Sequence, residues 1–281
     1  MALPILRTIA ELRQRVTEWR ARGETIGLVP TMGALHEGHL SLVRRSSAEN
    51  ARTVVSIFVN PTQFGPNEDF NRYPRDLAGD AEKLATAKTD VIFAPEVVEM
   101  YPEGATTTVT VGGLTDGLCG PFRPGHFAGV ATIVTKLLLQ ALPDVAYFGE
   151  KDYQQLQVIK RLARDLDIPV RIQGVATHRE PDGLAMSSRN AYLSPAERAV
   201  APTLNRVIST VAAALARGEP AGPAIAQGKA ELGRAGFTKI DYLDAVDAST
   251  LKPLDRATGP TRVAAAVWLG STRLIDNVPV G

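Results

Sequence analysis

Over the first 175 residues, short apolar runs rich in β-branched side chains alternate with stretches whose apolar positions recur every three to four residues. The runs at 25–30, 53–59, 90–93, 145–148 and 170–175 predict strands; the stretches at about 8–22, 39–50, 76–88, 127–141 and 153–166 predict helices. Strand and helix in strict alternation require crossover connections. The pattern therefore predicts a doubly wound α/β architecture, a parallel sheet covered on both faces. A Thr/Val run at 106–111 predicts a small further β excursion.

After about residue 180 the texture changes. Ser194-Pro195-Ala196-Glu197 has the spacing of a capping box with proline at the first helical position, which opens a helix to about residue 217. The Gly/Pro segment 218–223 breaks it, a second helix follows to about 234, and strand-like runs lie at 240–246, 263–269 and 273–277. This predicts a smaller α+β domain over 181–281, appended to a domain over 1–180.

Composition narrows the classes. With 281 residues, 44% hydrophobic and 22% charged, the chain has the make-up of a globular protein rather than a disordered or fibrous one. Its longest uninterrupted apolar run, Val263 to Leu269, is far below the roughly 18 to 20 residues needed to cross a bilayer, so no membrane span is expected. The N-terminus lacks the pattern of a secretory signal, and Cys119 is the only cysteine; both suit a reducing cytoplasm and exclude an internal disulfide. Thirty-one Lys and Arg against thirty Asp and Glu leave a formal charge of +1. No global basic field exists to hold a nucleic-acid backbone, so an anionic ligand must be held locally.

In open α/β sheets ligands bind beyond the carboxyl ends of the strands, and three predicted strand ends carry chemistry. Pro30 to His39 runs from strand into helix, with Gly33 and Gly38 allowing close backbone approach and His36 and His39 on one helical face. The histidines lack the four-residue step of a zinc helix; as donors they suit a transferring phosphoryl group, or they simply cap the turn. Asn60 to Pro66 presents Gln63, whose neutral amide suits a hydroxy-carboxylate, although an exposed amide in a Pro/Gly loop is the plainer account. Phe148 to Gln155 presents Lys151, a natural point charge for phosphate, with Asp152 and Gln155 also at capping-box spacing. Beyond these, Met186-Ser187-Ser188-Arg189-Asn190 makes an anion clamp or an ordinary polar turn.

His36-Glu37-Gly38-His39 resembles the His-x-Gly-His signature of the nucleotidylyltransferase superfamily, and Met186-Ser187-Ser188-Arg189 is similar to its Lys-Met-Ser-Lys-Ser counterpart. Together with 30–33, 58–64, 73–75, 123–127, 148–152 and 183–190, taken in order, they make the chain resemble the pantothenate synthetase family. The resemblance implies a Rossmann-like fold with a C-terminal domain closing over the site. It also implies ATP-dependent condensation of pantoate with β-alanine through a pantoyl-adenylate, releasing AMP and pyrophosphate, with Mg²⁺ present. Carried over by position, it implies that Met32, Gly33, His36, Gly38, His39, Gly149, Lys151, Asp152, His178, Met186, Ser187, Ser188 and Arg189 hold ATP. His39, His36 and Lys151 take the catalytic positions, Gln63 and Gln155 bind pantoate, Gln63 also approaching β-alanine, and Asp80 stands near the metal. A cytoplasmic homodimer without nucleic-acid or membrane partners is implied as well.

Two residues depart from that pattern. Cys119 stands where a glutamate is expected, which would leave Arg123 without its partner, and His178 stands where a small apolar residue near the adenine is usual. Two relatives of this chemistry stay open: another nucleotidylyltransferase, which would leave AMP on its product, and an RNA-binding fragment like an aminoacyl-tRNA synthetase, which the near-neutral charge disfavours. A non-catalytic interaction domain is the third alternative.

Overall fold

Strands that are apolar on both faces must lie inside a layered sheet, and the computed structural model, which describes residues 3–66 and 68–281, puts them there. In chain order the first elements are β1 (Ile5–Leu6), α1 (Ile9–Ala21), β2 (Ile26–Thr31), α2 (Glu37–Glu49), β3 (Arg52–Ile57), α3 (Leu77–Thr86), β4 (Val91–Phe93) and α4 (Val97–Met100). They continue through α5 (His126–Ala141), β5 (Val145–Gly149), α6 (Tyr153–Asp165) and β6 (Arg171–Val175). Among the described residues the strands form one six-stranded sheet in the order β1-β4-β3-β2-β5-β6, every pairing parallel. Ile26, Leu28, Val29, Val54, Val55, Ile92, Phe93 and Ala146 at its centre are fully buried.

The chain builds outward from β2 through β3 to β4, then returns to place β5 on the other side of β2. The strand order reverses there, so the carboxyl ends of β2 and β5 flank the crevice where ligands of such sheets bind.

The second part holds α7 (Pro195–Val200), α8 (Thr203–Ala216), α9 (Ala221–Ala235), β7 (Lys239–Asp247), β8 (Thr261–Leu269) and β9 (Thr272–Val280). Its strands form an antiparallel sheet in the order β7-β8-β9, with Leu204, Val207, Ile208, Val211 and Leu215 of α8 packed against Leu243, Val263, Ala265, Val267 and Leu274. The stretch Pro195–Ala216, α7 and α8 together, is long and apolar enough to cross a membrane by composition, yet half of its apolar part is buried inside the protein. Its second part, α8, is the core helix of this sheet.

By its contacts the chain divides into two compact units: Met1–Val111, Arg123–Glu150 and Val158–Ala176 form the first, and Gly112–Phe122, Lys151–Gln157 and Thr177–Gly281 the second. The second unit thus takes in three stretches, 112–122, 151–157 and 177–180, that the sequence reading placed on the first side of 180/181. Hydrogen bonds explain why. The buried Gln154 accepts from the Cys119 amide at 2.9 Å and donates to the carbonyls of Leu114 and Gly117, while the Tyr153 hydroxyl donates to the Ala248 carbonyl.

Two local expectations differ. Residues 106–111 carry no regular secondary structure and join no strand ladder, and the Val109 amide donates instead to the Thr132 hydroxyl at 2.9 Å. The single helix expected from 194 to about 217 is interrupted between α7 and α8, because Pro202 has no N–H to donate to the preceding turn.

Candidate active site

Within the first unit, the turn after β2 is shaped by a buried carboxylate. Asp80, 1% exposed on α3, accepts the Ala34 amide on Oδ2 at 2.9 Å and the Leu35 amide on Oδ1 at 2.8 Å, while Lys83 donates to the Leu35 carbonyl at 2.8 Å. Gly33 has φ +84°, and a Cβ there would sit 3.0 Å from Asp80 Oδ2 and 3.2 Å from Ile57 Cγ2. Only glycine makes that turn without strain. Both oxygens of Asp80, which the resemblance placed near the metal, are engaged by backbone amides of this turn.

The turn delivers the chain to His36, the N-cap of α2. Its Nδ1 accepts from the Gly38 amide at 3.2 Å, and the Nδ1 of His39 accepts from the His36 amide at 3.3 Å. The pair is a capping box built from imidazoles, with ring centroids 4.1 Å apart. Capping, one of the two readings of this pair, is what the structure shows. With Nδ1 accepting on each ring, a neutral imidazole carries its proton on Nε2.

After β3, the turn Pro61–Gln63 brings Gln63 beside Met32: its Nε2 lies 3.1 Å from the Met32 sulfur, and its Oε1 accepts from Asn60 Nδ2 at 3.1 Å. Asn60 is 1% exposed; its Nδ2 also donates to the Gly129 carbonyl, and its Oδ1 accepts from the hydroxyls of Thr62 and Tyr101 at 3.0 and 2.8 Å. These bonds fix which end of the Gln63 amide is the donor. Burial pushes the Tyr101 hydroxyl pKa up, against the lowering effect of Thr62 and Asn60. At Gly129 on α5, a Cβ would come within 2.3 Å of the Thr62 carbonyl oxygen, so helix and turn meet at backbone distance.

Arg123 is not left without a partner. Its Nε and Nη2 donate to the two Glu68 oxygens at 2.7 and 2.6 Å, a pairing supplied by a loop 55 residues earlier. Burial alone would push the Glu68 carboxyl up, but hydrogen bonds and charge from Arg123 hold it below its ordinary value. Cys119, buried in the second unit, lies 3.1 Å from the Tyr242 hydroxyl and 3.6 Å from Arg273 Nη2.

The remaining expected residues fall in the second unit, apart from Gly149, which closes β5. Lys151 lies in a 3₁₀ turn, Glu150–Asp152, where its ammonium is 3.4 Å from the Asp152 carboxylate and its carbonyl accepts from Asn277 Nδ2 at 3.0 Å. Gln155 is the third residue of α6. His178 is exposed at the foot of a short hairpin: its carbonyl accepts the Met186 amide at 3.0 Å, and Arg179 bridges to Ala185. Arg179 also pairs through both terminal nitrogens with the buried Asp276, at 2.7 and 2.9 Å, anchoring the hairpin to β9. Ser187 caps the 3₁₀ turn Ser188–Tyr192, its hydroxyl accepting from the Arg189 amide at 3.3 Å.

The sequence reading gave no role to Asn60, Glu68, Tyr101 or His126. Their parts depend on partners 41 to 69 residues away, which no local pattern reveals.

Imidazoles at a helix N-terminus, where a parallel sheet reverses its strand order, form a setting that suits an α/β enzyme acting on nucleotide phosphates. Comparison with known proteins narrows this. Residues 4–279 match the family model described as pantoate-beta-alanine ligase. A pantothenate synthetase of Paramagnetospirillum magneticum is 59% identical over 279 residues, covering 99% of this chain and 98% of that protein; one of Rhodospirillum rubrum is 56% identical over 280 residues, covering 99% of each. The crystal structure of pantothenate synthetase from Thermus thermophilus superposes with a TM-score of 0.94 at 48% identity, covering 99% of both chains. The Francisella tularensis pantoate-beta-alanine ligase, solved with a β,γ-ATP compound and β-alanine, gives 0.83 at 35% identity, covering 99% of this chain and 97% of that one. The chain belongs to the pantoate–β-alanine ligase family, and its reaction is the joining of those two molecules.

Proposed function

We propose that the ligation runs in two steps on ATP, with the residue roles that follow. The pantoate carboxylate, already ionised at neutral pH, attacks the α-phosphorus; pyrophosphate leaves and pantoyl-adenylate forms. The β-alanine amine then attacks the activated carbonyl, the amide forms, and AMP leaves. The first step calls for no strong base on the protein, so positioning and neutralisation of phosphate charge do most of the work there.

In this reading His36 and His39 donate Nε2–H to the phosphates, His39 as the proton-donor position. The turn Met32–Gly33 and Gly38 line the nucleotide, with Gly149, Asp152, His178 and Met186. Lys151, Ser187, Ser188 and Arg189 neutralise the β and γ phosphates. Gln63 and Gln155 bind pantoate, Gln63 also reaching β-alanine. The observation that carries the reading is the reciprocal imidazole cap at the strand-order reversal.

Mg²⁺ fits this chemistry as a companion of the triphosphate rather than as a tenant of a protein cage. No three His, Cys, Asp or Glu among the described residues are grouped to hold a metal, and the Asp80 oxygens already serve backbone amides. Magnesium of that kind rides on phosphate oxygens and water. The cytoplasmic homodimer belongs to the same proposal, and sedimentation at twice the chain mass would support its dimeric part.

The direct test is stepwise. ATP and pantoate alone should release pyrophosphate in an amount close to that of enzyme, and AMP should appear only when β-alanine is added. Pyrophosphate release that requires β-alanine would overturn the adenylate route.

Two further outcomes are expected. Gln155→Ala should raise the pantoate KM about tenfold, the scale of one lost hydrogen bond to a charged group, with the ATP KM changed little. An unchanged pantoate KM would remove Gln155 from the site. ATP with pantoate should slow amide exchange across residues 183–192, because a loop that closes on phosphates opens less often; equal exchange with and without ligand would count against closure.

A further inference from the structure

The pantoate reading assigns Gln63 but says nothing of what holds it, and a chain of hydrogen bonds within the first unit answers that. Glu68 takes Arg123 side-on through two contacts of 2.7 and 2.6 Å. Arg123 Nη1 lies 2.9 Å from His126 Nε2, and its Nη2 reaches the Gln63 carbonyl at 3.5 Å. A guanidinium can only donate, so Nε2 of His126 accepts and the proton of its neutral ring sits on Nδ1. That Nδ1–H donates to the Gln63 carbonyl at 2.9 Å.

The chain is sheltered: the Arg123 and Glu68 side chains are 16% and 25% exposed, and His126 is buried at the start of α5. Arg123 has five N–H groups, and the contacts to Glu68, His126 and Gln63 engage most of them. It is turned to the protein rather than to a ligand. On its other side residue 63 is held by Asn60 and faces Met32.

We propose that Glu68, Arg123 and His126 are positioning residues for pantoate, acting through the Gln63 peptide to aim its amide. This rests on Gln63 binding pantoate. Without the Glu68 carboxylate, Arg123 loses its side-on restraint, the His126 tautomer loses its fixing partner, and the Gln63 peptide is free to pivot.

The experiment is a mutant cycle read by pyrophosphate release from the full-length enzyme, with pantoate and ATP varied separately. Glu68→Gln should raise the pantoate KM about tenfold, with the ATP KM and the kcat at saturating pantoate within about threefold of wild type. In a Gln63→Ala background the same change should do almost nothing, because no amide remains to aim. A Glu68→Gln effect of equal size in both backgrounds would overturn the proposal, as would an unchanged pantoate KM. If Gln63→Ala itself leaves pantoate KM unaltered, the failure belongs to the assignment of Gln63, and the proposal falls with it. Should Glu68→Gln fold poorly, His126 gives a second route: His126→Asn, whose amide nitrogen can take the Nδ1 place, should stay near wild type, whereas His126→Leu should raise pantoate KM about tenfold. Equal behaviour of those two variants would also overturn it.

Discussion

Replacing His39 by glutamine should lower turnover by about 10² while leaving thermal stability almost unchanged, and replacing it by alanine should cost both. The separation is possible because the observed cap and the proposed phosphate contact fall on two different atoms of His39. Its Nδ1 accepts from the His36 amide at 3.3 Å as the returning half of the α2 cap. A glutamine at this third helical position restores that half, since Gln and Glu are the usual residues of a capping box, but it offers no imidazole N–H to phosphate. A hundredfold loss corresponds to about 2.7 kcal/mol, the scale of one donor lost from a transition state that develops negative charge. Alanine adds the lost cap, about 1 kcal/mol of stability. Single-turnover pyrophosphate release and thermal melts on the two variants read both quantities. Glutamine at 39 with turnover within threefold of wild type would show that the ring caps α2 and does nothing more.

The histidine pair also shows what a sequence can and cannot convey. Strand and helix alternation, set by burial on both faces, placed β2, β3, β5 and β6 within one or two residues, and the Gly33 and His36 to His39 pattern placed a glycine turn running into a helix at the end of β2. Spacing alone could not say that the two rings cap each other, because that depends on the extended backbone at His36, φ −133° and ψ 176°. Where a role depends on a distant partner, local reading fails in a consistent way. Arg123 was expected to lack a partner because position 119 holds cysteine, yet its carboxylate comes from Glu68. The edge strand β1 is two residues long and exists only through its pairing with β4, so no periodicity could announce it. The Thr/Val run at 106–111 has strand composition but lacks a neighbouring strand, and composition without a ladder makes no strand.

Asp80→Asn should destabilise the protein by about 2 to 3 kcal/mol and lower turnover at least tenfold, without changing the Mg²⁺ concentration that gives half-maximal rate. The carboxylate accepts one loop amide on each oxygen, in a setting where only 1% of the residue is exposed. An amide side chain can accept on one atom only; its other end presents N–H to an N–H, leaving a buried donor unpaired on each side. Gly33 and Ala34 both sit at positive φ, +84° and +51°, so the turn depends on those two acceptors to hold a backbone shape that Ala34 would not adopt unaided. Relaxation of Ala34 and Leu35 moves the next residue, His36, and with it both rings of the cap. Misplacing a reacting group by about 1 Å can cost as much as a hundredfold, so turnover should fall even though Asp80 acts on His36 only through the turn. The magnesium titration separates this role from a metal contact. A ligand lost from the ion would shift its half-maximal concentration upward and leave the melting temperature near wild type, whereas a lost brace lowers the melting temperature and leaves the titration midpoint in place.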